Sequence, residues 1–188
     1  MAASAFTESQ QQQLLALARQ AIACRLTDTD EPLSSSDDAT LNQPGACFVT
    51  LKINDQLRGC IGTLEAHQPL HKDIIHNAQA AAFSDPRFTP VTAEELDNIH
   101  IDISVLTEPE PLPQLTEAQL LNRLRPHTDG LILKEGHRRA TFLPSVWESL
   151  SEPQEFVREL KRKAGLPANH WSDEVRCEIY QALYFGER

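Results

Sequence analysis

Two segments of alternating polarity, joined by the tripeptide Asn-Asp-Gln at residues 54–56, constrain the fold of this chain most strongly. In ACFVTLKI, residues 46–53, apolar residues occupy every second position, which is the spacing of one face of a β-strand. LRGCIGTLE, residues 57–65, follows after a linker short enough to reverse the chain. The sequence therefore predicts an antiparallel hairpin with one face in a hydrophobic core.

Helical spacing and capping signals appear before and after this hairpin. We expect one helix with Thr7 as its N-cap and a second that begins at Pro69. Thr116 is the expected N-cap of a third helix. A fourth helix is expected to have Ser151 as its cap and Pro153 in its first turn.

Alternation returns in two further segments. NIHIDISVL, residues 98–106, predicts a third strand, and GLILKEGHRRATFLP, residues 130–144, predicts a second hairpin. The helices lie between strands that are joined as hairpins rather than by regular crossovers, which is typical of the α+β class. We therefore predict an α+β fold with an antiparallel-rich sheet, built from hairpins and packed with helices.

Length and composition favour a single compact domain. The chain has 188 residues, of which 40% are hydrophobic, and this is enough for one well-packed core. Residues 27–45 are polar and rich in turn-forming residues, so we interpret them as a connecting loop within the domain.

Charge and cysteine usage exclude several classes of function. A formal net charge of −10 argues against a nucleic-acid-binding or anionic-membrane surface, because both require a positive field. No apolar run approaches the roughly 20 residues of a membrane span, and no signal-peptide pattern opens the sequence. The four cysteines form no C-x-x-C pair. We expect a cytoplasmic protein with reduced thiols, no cofactor and no metal site.

Cys60 is the strongest candidate for chemistry, and two interpretations of it remain open. If its strand is regular, Cys60 shares a face with Arg58 and Gly62, while Leu57 points into the core. A neighbouring guanidinium favours the thiolate, and the glycines leave room for a substrate. Alternatively, Gly59 and Gly62 form a bulge that fits a small, buried cysteine beneath a helix.

Two histidine-containing patterns are weaker candidates. His100, Asp102 and Ser104 lie on one face of a predicted strand, but alternate strand residues are ~6.6 Å apart, too far for the hydrogen bonds of a catalytic triad. His71 and His76 are five residues apart on a predicted helix and therefore do not share the face that a metal requires. We expect neither a triad nor a metal site.

Four segments resemble the AMMECR-type domain family, in particular its bacterial branch, AmmeMemoRadiSam system protein A. They are GACFVTLKINDQLRGCIGTLEAHQPL, AAAFSDPRFTPVTAEELDNIHIDISVL, RRATFLPSVWESL and FVRELKRKAGL, in the order of the family. The resemblance implies that residues 6–188 form one AMMECR-type domain with a larger and a smaller lobe. It also implies a genomic association with a Memo-like protein and a radical SAM protein.

The resemblance identifies motif residues without supplying a reaction. The motif L-R-G-C-I-G corresponds to residues 57–62, D-P-R-F to residues 85–88 and T-F-L-P to residues 141–144. Many relatives have a glycine-any-histidine-glycine loop where this chain has PHTDG, so His127 does not take over a role from that motif.

Two hypotheses about function follow. In the first, the protein is a cysteine-dependent enzyme or enzyme-system component, in which Cys60 is the nucleophilic or redox-active thiol and Arg58 favours its thiolate. Arg87, presented by Asp85, then binds a carboxylate or phosphate of a substrate that also contacts Gly59 and Gly62. In the second, the motif surface is a non-catalytic ligand-binding or adaptor module that docks the Memo-like or radical SAM partner, and Cys60 is only small.

Overall fold

The structure is a computed structural model that describes residues 6–29 and 37–187. In this part of the chain there are two compact units. The larger unit contains the described residues up to Leu106 together with the C-terminal residues from Leu183, and the smaller unit runs from Thr107 to Ala182. Each unit has its own antiparallel sheet and its own hydrophobic core. The predicted α+β class is confirmed.

The helices and strands lie, in chain order, at α1 (Glu8–Thr27), β1 (Pro44–Ile53), β2 (Gln56–Gly62), β3 (Gln68–Pro69), α2 (Leu70–Phe83), β4 (His100–Leu106), β5 (Glu110–Pro111), α3 (Glu117–Arg123), β6 (Gly130–Glu135), β7 (Arg138–Phe142), α4 (Pro153–Lys163), β8 (Arg176–Tyr180) and β9 (Ala182–Gly186). Short 3-10 helices cover Leu96–Asn98 and Pro144–Glu148. The expectation of a single domain over residues 6–188 stays a prediction. Of the loop predicted over residues 27–45, residues 30–36 lie outside the described residues.

The sheet of the larger unit has the strand order β2-β1-β4-β9, and β3 pairs with the start of β1. The predicted hairpin is confirmed as β1 and β2. Its turn residues Asn54 and Asp55 have φ values of 51° and 60°, the left-handed conformation that matches the right-handed twist of a two-stranded ribbon. Asparagine and aspartate tolerate this conformation better than most residues, so the local sequence suits the turn.

A bulge in β2 changes the faces predicted for its first residues. Leu51 pairs with Gly59, but the next residue, Lys52, pairs with Leu57, so Arg58 is an extra residue on β2. Leu57 therefore lies on the same face as Lys52, where it is 43% exposed. The prediction that Leu57 points into the core was wrong, because it assumed a regular strand.

Helices α1 and α2 supply the core of the larger unit. The odd-numbered residues of β1 and β4 are buried in one cluster with apolar residues of both helices, including Val49, Leu51, Ile101, Ile103 and Leu14. Side chains along a strand alternate between its faces, so the even-numbered residues of these strands lie on the opposite face of the sheet. Phe48, Thr50, Lys52 and the even-numbered residues of β4 are partly exposed, whereas Ala46 is buried.

The smaller unit has the strand order β5-β8-β6-β7, packed with α3 and α4. Trp147 and Phe156 stack at the centre of its core, with ring centroids 3.8 Å apart. The fourth helix begins at Pro153 as predicted, but its N-cap is Glu152 rather than Ser151. Among the described residues, no helix is both long enough and apolar enough to cross a membrane.

Candidate functional site

Cys60 lies in β2 on the sheet face opposite the two helices. Its cross-strand neighbour on β1 is Thr50, whose own neighbour on β4 is Asp102, so these three residues form a row across the sheet. The Thr50 hydroxyl donates a hydrogen bond to the Cys60 sulfur, with 3.3 Å between Oγ1 and Sγ. Thr50 was not identified as a site residue from the sequence.

The backbone of Cys60 is held by Asp85. The Asp85 carboxylate accepts a hydrogen bond from the Cys60 N–H at 2.9 Å and two from the Arg87 guanidinium, at 3.0 Å from Nε and 2.7 Å from Nη2. Nη2 of Arg87 also donates to the Cys60 carbonyl oxygen at 3.3 Å. The motif residues Cys60, Asp85 and Arg87, distant in sequence, are thus brought together.

This arrangement shifts the ionisation of both partners. Asp85 is buried, with 2% of its side chain exposed, and the hydrogen bonds from Arg87 and from the Cys60 N–H hold its pKa well below the usual range. The hydrogen bond to Asp85 raises the pKa of Arg87, and the charge of Cys60 acts in the same direction. Arg87 is therefore a permanent cation bound to the backbone of Cys60, and just over half of its side chain, 54%, is exposed.

Arg58 takes a different position from the one that the sequence indicated. Its guanidinium donates two hydrogen bonds to the carboxylate of Glu95, at 2.8 and 2.9 Å, and others to the carbonyl oxygens of Thr89 and Pro90. The hydrogen bonds from Arg58, and secondarily that from the Thr92 N–H, lower the pKa of Glu95 to about 2. No interaction among the described residues joins Arg58 to the Cys60 sulfur. The bulge removes the shared face from which that contact was predicted.

Gly59 and Gly62 lie against protein atoms. A Cβ on Gly59 would clash with the carbonyl oxygen of Ala81 in α2, and a Cβ on Gly62 would clash with the ring of Phe48. Glycine is thus required because a helix carbonyl and an aromatic ring approach the strand closely. This packing accounts for both glycines without a substrate.

The histidine candidates do not form a catalytic or metal site. His100 Nε2 lies 3.3 Å from Asp102 Oδ1, while Lys52 binds the other carboxylate oxygen at 2.7 Å. Ser104 is opposite Phe48 in the register, so it is not part of this group. Across residues 6–29 and 37–187, no three His, Cys, Asp or Glu side chains are grouped so as to hold a metal ion.

A buried polar network at the start of α2 was missed from the sequence. The carboxylate of Asp73 accepts hydrogen bonds from the Cys47 N–H, the Thr63 hydroxyl and the Asn77 amide at 3.0, 2.5 and 3.0 Å. Burial, and secondarily the charge of Asp73, raises the pKa of the Cys47 thiol well above its ordinary value. Asp73 and Asn77 are four residues apart on an otherwise apolar helix face, which is the signal that could have identified the network.

This chain is similar in sequence and fold to proteins of archaea and of Thermotoga maritima. The AMMECR1 family model matches residues 15–185. A protein of Methanothermobacter thermautotrophicus is 40% identical over 182 residues, covering 93% of this chain and 92% of its own length. A Thermotoga maritima protein is 40% identical over 153 residues, covering 80% of this chain and 82% of its own length. The crystal structure of the uncharacterized protein PH0010 from Pyrococcus horikoshii superimposes with a TM-score of 0.78 at 33% identity. The match covers 93% of this chain and 89% of that protein.

Proposed function

This chain belongs to the AMMECR1 family, and we propose that it is a cysteine-dependent enzyme, or a component of an enzyme system, in which Cys60 is the reactive thiol and Arg87 binds an anionic group of the substrate. The proposal rests on the contacts that Cys60 makes with Thr50 and Arg87. A hydroxyl donates to the sulfur, and the Arg87 guanidinium binds the carbonyl oxygen of the same residue. Hydrogen-bond donors and cations are typical neighbours of a nucleophilic cysteine.

Two of the other three cysteines, Cys47 and Cys177, have less suitable environments. Cys47 and Cys177 are buried, and burial raises the pKa of each thiol, that of Cys177 to about 12. Cys24 lies on α1, partly exposed. Nucleophilic cysteines require both access and a thiolate, which Cys47 and Cys177 lack.

Arg87 provides the argument for an anionic substrate. Its Nε and Nη2 atoms are occupied by Asp85 and the Cys60 carbonyl oxygen. Within the described part of the chain, no acceptor binds Nη1, and the side chain is half exposed. A carboxylate or phosphate is the group that the planar guanidinium binds best. In this proposal Arg58 stabilises the neighbouring segment instead of activating the thiol.

Charge-selective alkylation tests the proposal. Iodoacetate carries a carboxylate and iodoacetamide does not, so the ratio of their rates at Cys60 reports the attraction of an anion to Arg87. We expect this ratio to be about threefold higher at Cys60 than at Cys24, as is typical of a partly exposed ion pair. Arg87→Ala should abolish the difference, whereas Arg125→Ala should leave it unchanged, because Arg125 is paired with Asp129 in the smaller unit.

Equal ratios at Cys60 and Cys24, or a ratio that Arg87→Ala does not change, would argue against an anion site beside the thiol. Labelling at low micromolar protein concentration, with mass spectrometry of each cysteine peptide, keeps any self-association of the variants out of the comparison. Circular dichroism of each variant confirms that the fold is intact.

The adaptor function is a second proposal, and the packing of the motif glycines favours it. The space beside Gly59 is occupied by Ala81, and the space beside Gly62 is occupied by Phe48. The N–H of Cys60 is already bound by Asp85, so this N–H cannot stabilise an oxyanion. In this proposal the protein docks a Memo-like or radical SAM partner in the cytoplasm, for which the four free thiols are suited. A Cys60→Ala variant that keeps full function in cells would support it over catalysis.

A further inference from the structure

Strand β2 is a terminal strand of its sheet. The strand order is β2-β1-β4-β9, and among the described residues no strand pairs with the outer side of β2. An unprotected terminal strand presents unpaired N–H and C=O groups that can pair with a strand of another molecule. The outward-facing N–H and C=O groups of β2 therefore need partners other than a strand.

The outward-pointing groups of β2 include those of Cys60. The Thr63 N–H donates to the Cys47 carbonyl oxygen, so the pair formed by these two residues is hydrogen-bonded. Antiparallel pairs alternate between hydrogen-bonded and non-hydrogen-bonded, and Cys60 lies three residues before Thr63. The N–H and C=O of Cys60 consequently point away from β1.

Both of these groups are bound by the side chains of a single ion pair. Asp85 accepts from the Cys60 N–H at 2.9 Å, and Arg87 donates to the Cys60 carbonyl oxygen at 3.3 Å. One acceptor and one donor on the same residue is the pattern that a neighbouring antiparallel strand would supply. The carboxylate and the guanidinium take the place of that strand.

The segment that carries this pair is itself unsuited to strand addition. It contains Pro86 and Pro90, which have no N–H to donate. The Arg58 guanidinium binds the carbonyl oxygens of Thr89 and Pro90, with 14% of its side chain exposed, and so holds the segment to β2.

We propose that the Asp85–Arg87 pair closes the outer edge of β2 against antiparallel pairing with the β2 strand of a second copy of this chain. A second copy is the relevant partner because two identical edges are self-complementary about a twofold axis. This role is separate from the binding of an anion by Nη1 of Arg87, because it uses Nη2 and the carboxylate of Asp85.

Sedimentation velocity of the full chain tests this inference. Arg87→Ala frees the Cys60 carbonyl oxygen, and we expect it to lower the dissociation constant for self-association at least about tenfold relative to the wild type, the effect of one or two backbone hydrogen bonds. Arg125→Ala is the matched control. Arg125 forms the same paired contact with a fully buried aspartate, Asp129, and is 53% exposed, but among the described residues its side chain donates hydrogen bonds only to Asp129.

A compensating variant identifies the edge that is used. Leu57 lies at the start of β2 and is 43% exposed, and a lysine on a terminal strand disfavours pairing. Leu57→Lys in the Arg87→Ala background should restore the dissociation constant of the wild type. Association that persists in the double variant would place the contact elsewhere and overturn the inference.

The proposal is also overturned if Arg87→Ala is folded by circular dichroism and associates no more strongly than Arg125→Ala. If Arg87→Ala does not fold, Arg87→Lys replaces it, since lysine keeps a charge for Asp85 but lacks the second donor for the Cys60 carbonyl oxygen. Alkylation selectivity and self-association are measured in separate experiments. A negative result for the anion site therefore does not decide the edge proposal, and the converse also holds.

Discussion

Replacing Asp85 by asparagine tests whether the buried carboxylate holds the motif residues together. Asparagine has nearly the same shape and can still accept from the Cys60 N–H, but it removes the charge that Arg87 binds through two nitrogens. Hydrogen bonds to charged groups contribute about 1.5–3 kcal/mol each when buried. Because Arg87 is half exposed and is rehydrated when the pair breaks, we expect Asp85→Asn to lower the free energy of unfolding by about 2 kcal/mol at pH 7.

The effect should depend on pH in a definite direction. The pKa of Asp85 is depressed in the folded protein below its value of about 3.9 in an unfolded chain. The stabilisation from its carboxylate is therefore fully present above that unfolded value and is lost as the pH falls through the folded-state pKa. The difference between wild type and Asp85→Asn should be constant between pH 5 and 7 and should shrink below about pH 4.

Urea denaturation followed by circular dichroism at several pH values measures this difference, with Asp55→Asn in the exposed hairpin turn as the control. Asp55 has a left-handed backbone that asparagine also tolerates, so the control should change little. An Asp85→Asn variant as stable as the wild type at pH 7, or a deficit that is unchanged at pH 3, would refute the assignment of a buried, ionised carboxylate to this position.

Two further predictions concern packing and buried charge. Gly59→Ala should lower the free energy of unfolding by about 3 kcal/mol, because the new methyl group meets the backbone oxygen of Ala81, which moves only with α2. Gly136 lies in open space with a φ of 58°, so Gly136→Ala should lower it by only about 1 kcal/mol in the same urea assay. Equal losses in the two variants would contradict this explanation. Lys161 is 2% exposed and lies 2.6 Å from Glu117. Lys161→Met should change the free energy of unfolding by no more than about 1 kcal/mol, whereas Glu117→Gln leaves a buried cation unpaired and should lower it by about 2 kcal/mol. Unfolding followed by tryptophan fluorescence measures both variants, and the reverse order of stability would contradict the prediction.

Local signals in the sequence were enough to predict most elements of the fold. The capping boxes at Thr7 and Thr116 are present as expected, because each involves only residues three positions apart. The β1–β2 hairpin is likewise specified by alternation and by two turn residues. Strands β8 and β9 were not predicted, because they gain their hydrogen bonds from β6 and β4, which are far away in sequence.

The candidate site shows the same limit. The D-P-R-F and L-R-G-C-I-G motifs, recognised by resemblance, supplied the residues Cys60, Asp85 and Arg87 that the fold brings together. The sequence could not show the bulge that directs Arg58 to Glu95, since one extra residue in a strand changes its faces without changing its composition. Thr50 was missed because its contact with the thiol depends on the strand register.

Competitive alkylation of the four cysteines at pH 7 tests whether the fold makes Cys60 the reactive thiol of this chain. Iodoacetamide in limiting amount, followed by mass spectrometry, gives the relative rate at each cysteine of the folded protein, and Cys60→Ser confirms the assignment of the label. We expect Cys60 to react fastest, ahead of Cys24, and the buried Cys47 and Cys177 to react slowest. A Cys60 that reacts no faster than Cys24 would contradict this expectation.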